Sequence, residues 1–186
     1  MARLIYATNV SLDGYIEDAH GAFDWAPPDD DVLAAHTALL RSVGTLVYGR
    51  RLYETMAPWE TNPALAEQSD LTADFARAWQ AAYKVVYSTT LTAVSTGATR
   101  LEQRFDPNTV QELKAASTGG LTIGGACLAA RAFEAGLVDE CQLFVWPMIL
   151  GGGTPALPAG IRTDLELIDE HRFDNGVVHL RYRVTT

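Results

Sequence analysis

Short apolar runs alternate with amphipathic segments along the first three quarters of the chain. The apolar runs predict buried strands at residues 3–9, 45–48, 84–87, 99–102 and 121–124. Between them, apolar positions recur at helical spacing and predict helices at residues 32–40, 71–79, 107–116 and 126–135, with a shorter helix ending at residue 56. Strands that alternate with helices form βαβ units, so the pattern predicts an α/β fold with a largely parallel sheet and helices on both faces.

After residue 139 the pattern changes to consecutive strands. Strands are predicted at residues 140–150, 165–173 and 177–184, and Asp174-Asn175-Gly176 lies between the last two. Asn-Gly between two apolar runs is a strong signal for a hairpin. The C-terminal third is therefore predicted to add antiparallel edge strands to the sheet, within a single domain that spans residues 1–186.

Charge and cysteine content narrow the classes of function. The chain has 14 Lys+Arg against 23 Asp+Glu, and this net charge of −9 argues against broad binding to nucleic acid or to an anionic membrane. No apolar stretch has the length of a signal peptide or a membrane span, so we expect a cytoplasmic protein. Cys127 and Cys141 have neither disulfide density nor metal-ligand spacing, so we expect two reduced, buried thiols and no metal site.

The most distinctive local pattern is a strand that ends in two glycines and leads directly into a helix. The strand ends at Ile123, Gly124-Gly125 follow, and the helix begins near Ala126. Glycine lets a ligand approach the main chain closely, and the free N–H groups of a helix start favour an anion. A second junction of this kind, Gly49-Arg50-Arg51, adds two cations. Two such junctions suggest one long ligand with phosphate groups, although each alone is also typical of an ordinary βα turn.

Four motifs follow one another along the chain: Ser11-Leu12-Asp13-Gly14-Tyr15, Tyr48-Gly49-Arg50-Arg51-Leu52-Tyr53-Glu54, Ile123-Gly124-Gly125-Ala126 and Pro147-Met148-Ile149-Leu150-Gly151-Gly152-Gly153. In order and spacing they make nearly the whole chain resemble the dihydrofolate reductase-like superfamily. The closest resemblance is to the reductase domain of the bifunctional riboflavin-biosynthesis deaminase/reductase. It implies a three-layer fold with a mostly parallel central sheet, antiparallel C-terminal strands and helices on both faces. It also implies an NADPH cofactor extended across the carboxyl ends of the strands.

The resemblance assigns the cofactor contacts residue by residue. Ala7 and Thr8 match backbone positions that hold the nicotinamide amide, and Ser88 and Thr89 match hydroxyls beside the adenosine 2′-phosphate. The other contacts belong to the two glycine junctions. They are Gly49, Arg50 and Arg51 at the first, and Ile123, Gly124, Gly125, Ala126, Cys127 and Leu128 at the second.

At the second junction, the family joins the two glycines by a cis peptide, and the N–H groups of residues 126–128 face the pyrophosphate. The chain departs from the dihydrofolate reductases at two positions. Leu52 stands where these enzymes usually have Thr, and Ala129 stands where they often have Tyr. The zinc deaminase signature, His-x-Glu with a later Pro-Cys-x-x-Cys, is absent, so the resemblance implies the reductase half alone.

A proton must follow the hydride, and the sequence leaves its donor open. Asp30, Asp13 or an ordered water could supply it, and a carboxyl that donates near neutral pH needs a pKa raised by burial. Asp30 is favoured in the Asp29–Asp31 run because its distance from Trp25 resembles the spacing before the folate-site acid of dihydrofolate reductases. Asp29 and Asp31 are expected mainly to stabilise the helix start.

We therefore expect an NADPH-dependent oxidoreductase that transfers a hydride to a small heterocyclic or carbonyl substrate. The resemblance implies the riboflavin-biosynthesis type, which reduces 5-amino-6-(5-phosphoribosylamino)uracil. A dihydrofolate or pterin reductase is the alternative among enzymes, and an NADPH-binding sensor or interaction module without turnover is the alternative from another class. Outside the cofactor site, Arg131 and Arg162 are the cations available to a substrate phosphate, which mildly favours a neutral substrate. A homodimer is expected, with the strand at residues 142–148 as its interface.

Overall fold

The computed structural model describes residues 1–185, which form a central sheet, a small second sheet and helices on both faces. The strands are β1 (Leu4–Ser11), β2 (Tyr15–Glu17), β3 (Val43–Gly49), β4 (Tyr83–Tyr87), β5 (Thr99–Glu102), β6 (Gly120–Gly124), β7 (Glu140–Trp146), β8 (Thr154–Pro155), β9 (Asp164–Arg172) and β10 (Val178–Thr185). The helices are α1 (Asp30–Ser42), α2 (Arg50–Met56), α3 (Pro58–Thr61), α4 (Pro63–Ala66), α5 (Asp70–Ala81), α6 (Pro107–Ala116) and α7 (Ala126–Glu134). Within this range no helix is both long and apolar enough to cross a membrane.

The central sheet has the strand order β5-β4-β3-β6-β1-β7-β10-β9. The first six strands in this order pair in parallel, and β10 pairs antiparallel with both β7 and β9. The predicted alternation of strands and helices is thus confirmed, with one difference. β7 is parallel to β1 rather than part of the antiparallel group, because α7 returns the chain to the starting edge of the sheet before β7 begins.

Helices bury both faces of the sheet. On one face, α6 and α7 cover β1, β3 and β6, with Leu128 and Ala132 among the buried side chains. On the other face, α1, α2 and α5 cover β1, β3 and β4. Trp79 of α5 is fully buried there and donates from Nε1 to the hydroxyl of Tyr48 at 3.2 Å, so its predicted place in the core is confirmed.

Several element bounds differ from the predictions where local signals are short. Pro58 is the first residue of α3 rather than only the end of α2, since a proline in the first helical turn loses no intrahelical hydrogen bond. The strand predicted to reach residue 150 ends at Trp146, before Pro147. The small sheet of β2 and β8 was not expected, because neither strand is long enough to show a period.

β7 lies inside the sheet, with β1 on one side and β10 on the other. Both of its hydrogen-bonding edges are therefore occupied, and the prediction that the strand at residues 142–148 forms a dimer edge is wrong. The strand at that end of the sheet is β9, where Leu165 and Leu167 are 39% and 47% exposed.

Candidate functional site

The two glycine junctions lie side by side at the carboxyl ends of β3 and β6. These strands are neighbours, and Tyr48 pairs with Gly124 in their register. A Cβ atom placed on Gly125 would lie 3.9 Å from the backbone nitrogen of Gly49. A Cβ atom on Gly49 would lie 3.9 Å from Cβ of Leu128 in α7. The structure thus brings the two motifs into one groove whose floor is main chain.

The backbone of the second junction differs from the expectation in one respect. The family resemblance implies a cis peptide between Gly124 and Gly125, but the peptide is trans, which corrects that expectation. The chain turns into α7 through Gly125 itself, whose φ of +91° is a conformation that other residues rarely adopt.

Two helices begin in this groove without a side-chain cap. α1, α5 and α6 each start at a capping side chain, from Asp29, Ser69 and Asp106. α2 and α7 instead start at Gly49 and Gly125, and no side chain of residues 1–185 caps either one. The one-turn helices α3 and α4 also lack a side-chain cap, but they do not start at a glycine junction. The orphan N–H groups of α2 and α7 and the positive end of each of their dipoles therefore face the groove, an arrangement that suits phosphate.

Of the α7 residues predicted to contact the cofactor, only some have backbone N–H groups that are free of intrahelical hydrogen bonds. The N–H of Leu128 donates to the carbonyl of Gly125 at 3.1 Å and is therefore already engaged within the protein, so its contact with a pyrophosphate stays a prediction. Ala126 and Cys127 occupy the first two helical positions, whose N–H groups have no intrahelical acceptor. Cys127 is exposed rather than buried as expected, whereas Cys141 is buried and burial raises the pKa of its thiol to about 12.

The two arginines after Gly49 are exposed and paired with different glutamates. Arg50 Nη1 lies 3.4 Å from Glu54, one turn along α2. Arg51 Nη1 lies 3.3 Å from Oε2 of Glu17, which belongs to β2. Exposed ion pairs of this kind contribute little to stability, so both guanidinium groups can turn to an anion at low cost.

Polar side chains at the end of β4 complete this side of the groove. Ser88 is buried and its Oγ accepts from the N–H groups of Thr90 and Leu91, at 3.2 and 3.0 Å, so it holds the turn. Thr89 is exposed. Tyr87, which pairs with Gly49 in register, carries the one buried side-chain polar atom of residues 1–185 that lacks a protein partner, its hydroxyl. Sequence reasoning did not single out Tyr87.

Ala7 and Thr8 lie where β1 continues past the end of β6. The β1–β6 pairing ends at Tyr6 and Ile123, whereas β1 pairs with β7 as far as Ser11. One edge of β1 is therefore free of β6 from Ala7 onward. Backbone donors and acceptors at such an edge are suited to a planar amide, which is the role that the resemblance assigns to Ala7 and Thr8.

Asp13 fastens the glycine-rich loop that follows β7. Its carboxylate accepts hydrogen bonds from Ser11 Oγ at 2.6 Å and from the N–H groups of Leu150 and Gly151 at 3.0 and 2.7 Å. The hydrogen bond from Ser11, with the two backbone bonds, lowers the pKa of Asp13. A proton donor near neutral pH needs the opposite shift, so we interpret Asp13 as a structural residue rather than an acid catalyst.

The other end of the same loop is held by backbone packing. Gly153 has a φ of +134°, and a Cβ atom there would lie 1.8 Å from the carbonyl oxygen of Glu17. The next residue, Thr154, donates from Oγ1 to Oε2 of Glu17 at 2.9 Å. Since Glu17 also pairs with Arg51, the loop, β2 and the start of α2 form one connected wall of the groove.

The three acidic residues before α1 have separate environments. Asp29 is the N-cap, and its Oδ1 accepts from the N–H groups of Asp31 and Val32 at 3.1 and 3.0 Å, which confirms its expected role. Asp30 and Asp31 are exposed in the first turn. The assignment of Asp30 to the substrate side stays a prediction.

We expect Asp30→Asn to lower kcat/KM selectively, with unchanged affinity for NADPH and a shifted pH profile. An amide cannot donate or accept the proton that a carboxyl exchanges, whereas it leaves the side chain's shape unchanged. Asp31→Asn is the matched control, because it removes the same charge from the adjacent position of the helix. Indistinguishable kinetics of the two variants would end the assignment of Asp30.

The structure also joins three residues that sequence reasoning missed, on the α1 face of the sheet. Asn9 of β1, His36 of α1 and Trp146 of β7 meet through hydrogen bonds to the side-chain oxygen of Asn9. The signal that could have found Asn9 is its position, because it is a polar residue on the same strand face as Ala7, near the carboxyl end of a buried strand.

The chain is similar to known proteins along nearly its whole length. A family model described as the RibD C-terminal domain matches residues 2–179. The chain is 29% identical over 185 residues to the uncharacterized protein YyaP of Bacillus subtilis, which covers 97% of this chain and 94% of YyaP.

Solved structures show the same fold. A putative riboflavin biosynthesis protein from Shewanella sp. PV-4 superposes with a TM-score of 0.77 at 23% identity, over the full length of both chains. A diaminohydroxyphosphoribosylaminopyrimidine deaminase/5-amino-6-(5-phosphoribosylamino)uracil reductase from Thermotoga maritima superposes with a TM-score of 0.67 at 12% identity, over 99% of this chain and 57% of that one. The predicted dihydrofolate reductase-like fold is thereby confirmed.

Proposed function

The chain belongs to the RibD C-terminal domain family, and from this membership we propose that it is an NADPH-dependent reductase of a small heterocyclic or carbonyl substrate. The observation that carries the proposal is the groove at the carboxyl ends of β3 and β6. It combines two adjoining glycines, two uncapped helix starts and two arginines in a chain whose net charge is −9. Because the protein as a whole is acidic, the concentration of these phosphate-binding features at one place supports a phosphate-bearing ligand there.

The residues of the groove fit such a cofactor. Side chains at Gly49 and Gly125 would fill the space between the two junctions, and their absence leaves main-chain N–H groups accessible. The N–H groups of Ala126 and Cys127 would hold the pyrophosphate. Arg50, Arg51 and Thr89 would hold the 2′-phosphate, since guanidinium groups bind phosphate through two parallel hydrogen bonds.

The protein would contribute to the reaction mainly by positioning the cofactor and the substrate. When bound, the cofactor supplies the hydride from its nicotinamide ring. The free edge of β1 at Ala7 and Thr8 would orient that ring, and the loop latched by Asp13 and Gly153 closes one side of the groove against water. Asp30 or a water would supply the proton.

The cations considered for a substrate phosphate lie elsewhere in the fold. Arg131 is in the last turn of α7, and Arg162 lines a cavity with Gly136 and Asp139, the residues that lead from α7 into β7. That position is the amino end of β7, opposite the edge where Gly125 starts the helix. This placement supports a neutral substrate over one that carries a phosphate, such as the phosphoribosyl substrate of riboflavin biosynthesis.

NADPH oxidation followed by absorbance, with aldehydes, quinones, dihydropterins and pyrimidines as acceptors, tests the proposal. We expect steady oxidation with at least one acceptor class and faster turnover with NADPH than with NADH. Calorimetric titration of NADPH separates the alternatives, because a sensor would bind the cofactor without oxidising it. A protein that binds no NADPH would contradict the proposal.

We expect Arg50→Ala to weaken NADPH binding by about tenfold or more and to leave NADH binding nearly unchanged. A charge-assisted bond to phosphate contributes about 1.5 to 3 kcal/mol, and 1.4 kcal/mol corresponds to about tenfold. Arg51→Ala is also expected to weaken NADPH binding selectively. The loss of affinity should be smaller, because wild-type Arg51 must give up its ion pair with Glu17 to bind the phosphate and the variant has no such pair to break.

Arg77→Ala is the control for the arginine variants, because Arg77 pairs with Asp74 on α5, an element that contributes nothing to the groove. It should leave both cofactor affinities unchanged. Equal losses of NADPH and NADH affinity in Arg50→Ala would show that the 2′-phosphate is read by other residues.

A further inference from the structure

The side-chain amide of Asn9 is held in one orientation. Its Oδ1 accepts a hydrogen bond from Nε1 of Trp146 at 3.1 Å. An indole N–H can only donate, so the oxygen of the amide, and not its nitrogen, must face Trp146. Trp146 is itself buried, and this bond satisfies its single polar atom.

His36 fixes the same oxygen from the other side. Its Nε2 lies 3.3 Å from Oδ1 of Asn9, and its ring packs on Phe144 at a centroid distance of 4.1 Å. Burial, with the nearby His179, lowers the pKa of His36 to about 4, so the ring is neutral near pH 7. Because Nε2 is the ring nitrogen that faces this acceptor oxygen, a hydrogen bond between them requires the neutral tautomer with its proton on Nε2. Asn9 Oδ1 therefore accepts two hydrogen bonds.

The amide nitrogen of Asn9 is left as an open donor. Nδ2 has no hydrogen-bond partner within residues 1–185. It is also not one of the buried polar atoms of that range that lack a partner, so it is accessible to a ligand. Asn9 is partly buried and lies on the same face of β1 as Ala7, two residues further toward the carboxyl end. Two residues of strand span about 6 to 7 Å, which is the distance of a second small ring placed beside one held at Ala7.

We propose that Asn9 is a substrate-binding residue, which donates from Nδ2 to the carbonyl oxygen at the carbon that receives the hydride, with Trp146 and His36 as its positioning residues. This inference rests on the proposed reductase function and narrows its substrate class to neutral carbonyl compounds. A donor-only group without positive charge matches a carbonyl oxygen better than a carboxylate or a phosphate.

The proposed step is a hydride transfer to the substrate's carbonyl group. The hydride forms a C–H bond at the carbonyl carbon, and NADPH becomes NADP⁺. The π electron pair of the C=O bond moves to the oxygen, where the N–H of Asn9 stabilises the developing negative charge. Asp30 or a water supplies the proton to this oxygen, and the product is an alcohol. Because Trp146 and His36 already hold the amide, no reorientation is needed as the charge develops.

Asn9→Asp tests the proposal directly, because the carboxylate keeps an oxygen for Trp146 and His36 and replaces the donor nitrogen by an acceptor, although it also adds a negative charge. NADPH affinity is measured by calorimetry, and kcat/KM is measured with NADPH and three acceptors: benzaldehyde, menadione and 7,8-dihydrofolate. We expect reduction of benzaldehyde, whose carbonyl carbon takes the hydride, a loss of kcat/KM of about a hundredfold or more in Asn9→Asp, and NADPH affinity within twofold of the wild type. Asn9→Ala should lose a similar factor, which guards against an effect of the new charge.

Trp146→Phe tests the positioning role. It should lower kcat/KM by less than Asn9→Ala, and the double variant should lose no more than Asn9→Ala alone, because Trp146 acts through Asn9. Additive losses would mean that Trp146 is merely structural.

The proposal is overturned if Asn9→Asp keeps wild-type kcat/KM. It is also overturned if the wild type binds NADPH but reduces only menadione or 7,8-dihydrofolate, or none of the three acceptors. Failure of the wild type to bind NADPH is a different result, since it removes the reductase function itself.

Discussion

Gly125→Val is expected to weaken NADPH binding at least about a hundredfold, which corresponds to about 2.8 kcal/mol. Gly125 starts α7 with a φ of +91°, and its missing side chain keeps the space beside the backbone nitrogen of Gly49 open. A β-branched side chain would project into this space, in the path proposed for the pyrophosphate, and would strain the turn that presents the N–H groups of Ala126 and Cys127.

Gly136→Val is the matched control for this variant. Gly136 follows the other end of α7, has a φ of +64°, and a Cβ atom there would meet no described atom within 4 Å. Both substitutions strain one glycine at an end of the same helix, so they should lower thermal stability to a similar extent. Calorimetric titration should show a loss of NADPH affinity for Gly125→Val alone. Unaltered affinity in folded Gly125→Val would remove the second junction from the cofactor site.

Gly153→Ala is expected to destabilise the protein by about 1 to 3 kcal/mol more than Gly151→Ala. Both glycines have positive φ, at +134° and +76°, so both variants carry a backbone penalty of about 1 to 2 kcal/mol. Only the Cβ atom of Gly153 would also overlap backbone, at 1.8 Å from the carbonyl oxygen of Glu17. Backbone cannot move aside as a flexible side chain can.

Urea unfolding of the two glycine variants measures this difference, and hydrogen exchange locates it. We expect faster exchange of the amides of Leu150 and Gly151 in Gly153→Ala, because a displaced loop no longer donates to Asp13. Equal unfolding free energies and equal exchange in both variants would show that the loop is not packed against β2.

The architecture could be predicted from the sequence because its signals are local. The apolar runs and helical periods locate the helices and most strands, and Asp174-Asn175-Gly176 marks the hairpin. The direction of β7 could not be predicted from its own residues, since it depends on where α7 delivers the chain. The small sheet of β2 and β8 could not be predicted either, because strands of two or three residues carry no pattern.

The residues of the proposed phosphate site could be identified from the sequence for the same reason. Gly49 and Gly125 are marked by their own residue type and by the strand before them. Asn9 could not be identified in this way, because its proposed role depends on Trp146 and His36, which lie 137 and 27 residues away in the chain. The position of Asp13 was identified, but the role that we now assign to it was not, since that depends on Leu150 and Gly151, which lie 137 and 138 residues further along the chain.

Alkylation of Cys127 in the presence of NADPH tests the central claim most directly, because it needs no substrate and no mutation. Cys127 is exposed in the first turn of α7, where the cofactor is proposed to pass, and buried Cys141 serves as an internal reference. With N-ethylmaleimide and mass spectrometry as the readout, we expect saturating NADPH to slow modification of Cys127 at least about tenfold and to leave Cys141 unmodified throughout. An unchanged rate of Cys127 modification at saturating NADPH would contradict the account, because the cofactor would then lie away from the start of α7.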